Sequence, residues 1–507
     1  MEVDESLEKA KQLIDRGNTY YDQGKYEDAE LMYKKALEIY KKHYGDEHLD
    51  VAAVLNNLGL VYYDQGKYSD AEIMYKQALE ILKKHYGNFN LTVADVLINL
   101  GNVYKDQGKY DEAENVYKQA LEIYKKRSAE SPNVADLLNN LGDIYYNQGK
   151  YDEAVFMYKQ ALERFKKHYG NAHPIVATVL INLGNVYVDQ GKYSDAEIMY
   201  KQALSIRKKH YGDVHPIVAD LLINLGDIYY TQGKYSAAEN VYKQALEIYK
   251  KYYGDEHLDV ATVLINLGLV YKEQGKYNDA ENMLEQALEI LREKYDDEHP
   301  TVADLLNNLG NVYYSQGKYE DAELMYKKAL EIYKKHYGDE HLDVAMVLNN
   351  LGNVYYSQGQ YFAAEVMYRQ ALTIRKKHYG NGHPAVADVL NNLGLVYYDQ
   401  GQYSAAEFMY RQALEIYKKY FGNFHPNVAT VLINLGNVYY KQGKYFSAEK
   451  MYKQALSIRK KHYGDVHPAV AIVLINLGNV YEKQGRSAEA ELMYKQAEEI
   501  RKKLSEG

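Results

Sequence analysis

The side chains that could do chemistry in this 507-residue chain come in series. The histidines recur mostly as pairs five residues apart, such as His43 with His48 and His168 with His173. Such a pair holds a metal only where further ligands converge on it. Repetition at one phase points instead to structural punctuation, so no metal and no cofactor are expected. The 58 tyrosines could stack the bases of a nucleic-acid strand. That mode also needs a basic groove, and the net charge is -9, so nucleic acid is not an expected partner. The absence of cysteine removes thiol nucleophiles, thiolate metal sites and disulfides. Catalysis needs a singular constellation, and almost nothing here is singular; the chain reads as a protein that is not an enzyme.

What remains is a series of amides and carboxylates. Asn57, Asn99, Asn140, Asn182, Asn224, Asn266, Asn308, Asn350, Asn392, Asn434 and Asn476 share one phase. With three further phases they make a stripe at i, i+4, i+7 and i+11 along one helix face, which in the second unit is Ala53, Asn57, Leu60 and Asp64. An amide both donates and accepts, which suits clamping an extended peptide backbone. The same amides suit bonding to neighbouring repeats, and both readings stand. Acids on the stripe are Asp15, Asp22, Asp64, Asp95, Asp106, Asp136, Asp143, Asp189, Asp220, Asp227, Glu273, Asp304, Asp388 and Asp399, against Lys11, Lys441 and Lys483. The stripe therefore carries about -11 while the rest of the chain is nearly neutral. An acidic concave surface favours basic or polar ligands; the alternative is a solvated polar face.

The elements that position these residues follow from a fixed period. "LNNLGLVYYDQGKY" at residues 55 to 68 returns at 390 to 403 with one letter changed. The turn glycines Gly24, Gly66, Gly108, Gly149, Gly191, Gly233, Gly275, Gly317, Gly359, Gly401, Gly443 and Gly485 mark twelve units, spaced by 42 residues except for one spacing of 41 after "KKRSAESPNVAD". Each unit reads as two helices. In the second, Val51, Leu55, Leu58 and Tyr62 share a face until Gly66 stops the helix. The next helix is expected to open with Ser69 as cap and Glu72 completing a capping box, with Tyr68 stapled to Ile73, and to end at Gly87 in a left-handed cap. All seven prolines fall where a first helix begins, a position at which the missing N–H costs nothing. Gly59 and its equivalents sit in mid-helix, where glycine costs roughly 1 kcal/mol against alanine. They imply a close helix contact, with Ala71 and Ala78 also small and Tyr62 and Tyr75 filling the space between.

The order Leu55, Leu58, Gly59, Tyr62, Ala71, Tyr75, Ala78 resembles the tetratricopeptide repeat, with Leu for the usual Trp and Tyr for the usual Phe. The closing Pro is missing. A longer second helix ends instead in "HYGDVHPIVA" (residues 210 to 219), similar to the 42-residue type of kinesin light chains. The resemblance implies an all-α α-solenoid, twelve antiparallel helix pairs in a right-handed superhelix, with residues 1–507 as one array. It also implies that the stripe lines a concave groove holding a peptide. The groove residues would then be Asn99, Asn140, Asn182, Asn224, Asn266, Asn308, Asn350, Asn392 and Asn434 with Asp95, Asp136, Asp220, Asp304 and Asp388. The acidic stripe departs from the light-chain pattern, whose grooves for acidic peptides are basic.

Polar swaps at the ends, Asp15 and Arg16 in the first unit and Ser487 and Glu498 in the last, predict capping units and a complete array. No apolar run is long enough to span a membrane, and the N-terminus is too acidic for a signal peptide, so the expectation is a cytoplasmic protein with no membrane partner. Two function classes remain. One is a scaffold binding a protein or peptide through a basic or polar extended segment, with self-association as a further option. The other is a structural or engineered array with no evolved ligand, favoured by near-identical units.

Overall fold

The computed structural model describes residues 2–506, with side chains from 5 to 505. The described residues form twenty-four α-helices in twelve consecutive pairs. They fall into two compact units, Met1–Tyr252 and Tyr253–Gly507, with the division at the end of the sixth pair. Within the first unit, helices pack most closely on their pair partner and next on the first helix of the following pair; the second unit repeats the arrangement. No helix among the described residues is long and apolar enough to cross a membrane. Far-UV circular dichroism is expected to show a mainly helical protein, and a strand-rich spectrum would refute the pairing.

Turn chemistry fixes where each helix starts. In pair two the first helix (Leu49–Asp64) closes with the Gly66 N–H donating to the Tyr63 carbonyl at 2.9 Å and the Lys67 N–H to the Tyr62 carbonyl at 2.8 Å. This is the Schellman closure, and it requires the positive φ of 72° that Gly66 adopts. Lys67 is thereby used up as the helix cap, so the second helix begins at once, at Tyr68, with no side-chain cap bond. The expected capping box on Ser69 and Glu72 is not formed: Ser69 lies inside the first turn. Glu72 reaches outward instead, to Lys76 at 2.6 Å and Lys109 of the next pair at 3.0 Å. Ile73 is half exposed rather than stapled. The expectation for Gly87 also needs correcting: its φ of 74° is positive, but its ψ of 178° is the extended, glycine-only region and not the left-handed helix.

The seven prolines open seven first helices as expected. The histidine before each helix start has a definite task. His215 Nδ1 accepts from the Ile217 N–H at 3.2 Å, and His173 Nδ1 from the Ile175 N–H at 3.3 Å. Histidine is the N-cap, which demands a neutral ring with the proton on Nε2. The preceding tyrosine stacks on that ring, with Tyr379 and His383 centroids 4.2 Å apart. In pairs three and four Asn90 and Ser131 do the same work. Replacing His215 by Ala should therefore cost roughly 1 kcal/mol in urea denaturation, and His215→Asn or His215→Ser very little, since the chain already uses both.

Mid-helix glycine sets the core. A Cβ on Gly101 would lie 2.4 Å from Cε1 of Tyr117, and the same clash with a tyrosine ring recurs in every pair but the seventh, where Leu284 faces Gly268. Except for the part-exposed Tyr494 of the last pair, these tyrosines are buried between the two helices of a pair, flanked by fully buried alanines such as Ala71 and Ala78.

Candidate functional site

In both units the first helices of successive pairs approach one another more closely than the second helices do: Leu49–Asp64 meets Leu91–Asp106, and Pro300–Ser315 meets Leu342–Ser357. The stripe lies on these first helices. Its acids and amides are held by three series of tyrosine hydroxyls.

The first series comes from the tyrosine packed on the glycine. Its ring covers the glycine and its hydroxyl donates to the next residue: Tyr117 to Asn102 at 2.6 Å, Tyr158 to Asp143 at 2.6 Å and Tyr242 to Asp227 at 2.5 Å. Pair seven has Leu269 and Leu284, so donor and acceptor are both absent, whereas pairs two and ten keep Tyr75 and Tyr410 opposite Leu60 and Leu395. The second series also stays within a pair: Tyr124 donates to Asp95, Tyr249 to Asp220, Tyr333 to Asp304 and Tyr417 to Asp388. Burial and the Asp95 bond push the Tyr124 hydroxyl up to about 12. Asp136 is the exception, because Phe165 stands where the tyrosine would be; burial alone pushes its carboxyl up. The third series links consecutive pairs: Tyr21 donates to Asp64 at 2.5 Å, Tyr63 to Asp106 at 2.5 Å, and Tyr146 to Asp189 at 2.6 Å.

The asparagine phase divides in two. Asn99, Asn182, Asn350, Asn392 and Asn434 donate from Nδ2 to Oδ1 of Asn56, Asn139, Asn307, Asn349 and Asn391 on the preceding first helix, at 3.0 to 3.4 Å. Asn307, 5% exposed, is the only buried polar side chain among the described residues. Asn140, Asn224 and Asn308 follow pairs that carry Ile98, Ile181 and Ile265 at the acceptor position. They and Asn266 make no side-chain hydrogen bond among the described residues.

The electrostatics differ between the two sides of each pair. Acids on second helices are paired with lysines: burial pushes the Glu72 carboxyl up, but Lys76 and Lys109 outweigh it and hold it below its usual range. Stripe acids are hydrogen-bonded by neutral hydroxyls, and among the described residues only Glu273 of the fourteen has a Lys or Arg partner, Lys272 at 2.9 Å. Lys105 draws the Asp143 carboxyl down and Arg375 stands near Asp388; most of the remaining stripe charge has no cation paired with it. Burial also pushes up Asp143 and Asp227, opposed by the Tyr158 and Tyr242 hydroxyls. Around Asp143 lies a cleft of about 370 Å³ lined by Lys105, Asp106, Tyr110, Tyr146, Asn182 and Asn185 among others. Among the described residues no group of three or more His, Asp or Glu is placed to hold a metal ion.

The tyrosine hydroxyls were missed in the sequence, where tyrosine reads as core filler. The signal was partly available: Asn102 with Tyr117 and Asn311 with Tyr326 recur fifteen residues apart, although Tyr75 and Tyr410 persist opposite Leu60 and Leu395.

The tetratricopeptide repeat family profile matches residues 10–84, 92–167, 133–209, 176–251, 217–293, 259–335, 343–419, 410–461 and 427–503. No curated protein sequence matches the chain. Among solved structures it is similar to BtubC (BKLC) from P. vanneervenii, at 26% identity over 45% of this chain and 92% of that one, with a TM-score of 0.41. A putative kinesin light chain from Podosopora anserina with nearly identical TPR-like repeats matches at 23% identity over 40% of this chain and 97% of its own, TM-score 0.37. The apo form of RapI matches at 21% identity over 57% and 99%, TM-score 0.45.

Proposed function

The chain belongs to the tetratricopeptide repeat family, whose members generally serve as protein-interaction scaffolds, and from that premise we propose that it is a non-catalytic scaffold binding an extended basic or polar peptide segment along the first-helix stripe. The observation that carries this reading is the uncompensated charge of the stripe. Most of its carboxylates are oriented by tyrosine hydroxyls and, apart from Asp143 near Lys105, Asp388 near Arg375 and Glu273 with Lys272, left without cationic partners, the arrangement that costs least to reorganise when a cationic ligand arrives. Each such carboxylate spends one oxygen on its tyrosine and keeps acceptor capacity for a lysine or arginine.

The second reading, a stripe that serves only the repeats, is favoured at the five asparagines bonded to a neighbouring asparagine. The two roles separate by substitution. Changing Asn182, Asn350 and Asn392 to Ala removes bonds between pairs and should lower stability by about 1 kcal/mol each. Changing Asn140, Asn224 and Asn308 to Ala breaks no such bond and should leave the urea midpoint in place while weakening peptide binding. An array of extended peptides read against the whole chain supplies the ligand: basic and polar peptides should bind. Preferential capture of acidic peptides by the stripe would refute the reading, and capture of none would favour the structural one.

A further inference from the structure

Most second helices carry acids in their first turn, such as Glu27 with Asp28 and Asp111 with Glu112, where the helix N-terminus favours them. Pair six breaks this rule singly and pairs nine, ten and eleven break it consecutively. The second helices of the latter three, Tyr361–Tyr379, Tyr403–Phe421 and Tyr445–Tyr463, have no first-turn acid. Two of them place Phe362 and Phe446 there, 78% and 80% exposed, the most exposed large apolar side chains among the described residues. Phe408, one turn further along the helix between them, is 56% exposed. The three helices hold twelve Lys and Arg against four Asp and Glu, a net +8 carried mainly by the first and third, whereas the charges of the other nine second helices cancel only in sum. Exposed phenylalanine and a lost first-turn carboxylate are both unfavourable for the chain alone, and nothing in the fold compensates them.

The break is sharpest in a cleft of about 460 Å³ lined by Lys444, Phe446, Ser447 and Lys483 among others. The same cleft in pair one is lined by Lys25, Glu27, Asp28 and Lys67, whose charges cancel. In several other pairs the lysine after the turn glycine pairs with a glutamate of the preceding pair, as Lys109 with Glu72 at 3.0 Å and Lys318 with Glu281 at 3.0 Å. For Lys444 that glutamate is Glu407, which pairs with Arg411 at 2.8 Å and makes no ion pair with Lys444. Lys444, Lys483 and Lys450, the last one turn beyond Phe446, have no ion pair among the described residues. The result is a cationic recess with an apolar lip.

We propose that this edge of pairs nine to eleven is a second interaction surface, which docks an acidic protein segment by seating a carboxylate between Lys444 and Lys483 and an apolar side chain against Phe446, with Phe362 and Phe408 extending the contact. The charge is recessed in a cleft rather than spread over a plane, which favours a side chain over a lipid surface. The surface meets the stripe only at Lys483, one of its three bases, and includes none of the stripe acids.

The test uses the whole chain and a fluorescein-labelled peptide of alternating Glu and Leu, with Gln-for-Glu and Ser-for-Leu counterparts, followed by anisotropy. The Glu and Leu peptide should saturate, with both counterparts about tenfold weaker or worse. Lys444→Glu with Lys483→Glu, and separately Phe446→Ser, should each weaken it by about tenfold while circular dichroism stays unchanged. Neutralising the stripe acids should leave it unchanged. The proposal is overturned if the peptide does not saturate, if its binding ignores these substitutions, or if vesicles of phosphatidylcholine with phosphatidylserine bind through Phe446 and the peptide does not.

Discussion

Gly226→Ala is expected to destabilise the protein by about 1–3 kcal/mol, and Gly226→Leu by more. The sign is the informative part, because alanine in mid-helix ordinarily gains roughly 1 kcal/mol over glycine. Here a Cβ would sit 2.4 Å from Cε1 and 2.6 Å from Cζ of Tyr242. That ring cannot swing aside: it is 2% exposed, and its hydroxyl is tied to Asp227 at 2.5 Å. Urea denaturation at unchanged slope measures the effect. Removing the ring with Tyr242→Ala should make the two changes strongly non-additive, since the clash then has no second partner. Asp220→Asn, which keeps an acceptor for the Tyr249 hydroxyl, should barely move the midpoint. If Gly226→Ala stabilises, the close contact does not exist.

The same glycine shows why so much of the fold was legible in the sequence. A costly residue repeated twelve times at one phase is interpretable without coordinates, as is proline confined to one position. What failed was local and competitive. Ser69 and Glu72 spell a capping box, but the Schellman closure through Gly66 and Lys67 leaves no residue free to serve as a separate cap, so the cap is Lys67 and the helix starts two residues earlier. The histidine series was recognised as punctuation without its mechanism, although Asn90 and Ser131 at the same phase name it as an N-cap. At the candidate site the asparagine phase was plain. Its division was not, because whether Asn182 or Asn224 finds a partner depends on Asn139 or Ile181, forty-three residues earlier on another helix. The tyrosine hydroxyls escaped for a related reason: a large aromatic at helical spacing looks like core, and only its last atom reaches the stripe.

Those hydroxyls also decide how the charge of the stripe should be probed. Reversing Asp220 or Asp304 to lysine would remove charge and at the same time strand the hydroxyls of Tyr249 and Tyr333, mixing a folding defect of about 1–3 kcal/mol into any binding measurement. Asparagine separates the two, since its carbonyl still accepts the tyrosine proton while the charge is gone. Asp95→Asn, Asp220→Asn, Asp304→Asn and Asp388→Asn together remove four of the fourteen stripe acids with little change in the urea midpoint. Binding of a basic peptide at low salt should then fall by about tenfold or more, and its dependence on salt should become shallower, because fewer charges remain within a Debye length of roughly 8 Å of the ligand at physiological ionic strength. Asp136 is the one position where full reversal is clean, as Phe165 supplies no hydroxyl to strand; Asp136→Lys should add to the loss without altering stability. Isothermal titration across a salt series reads affinity and slope together, and an unchanged slope in the neutralised protein would place the basic peptide somewhere other than the stripe.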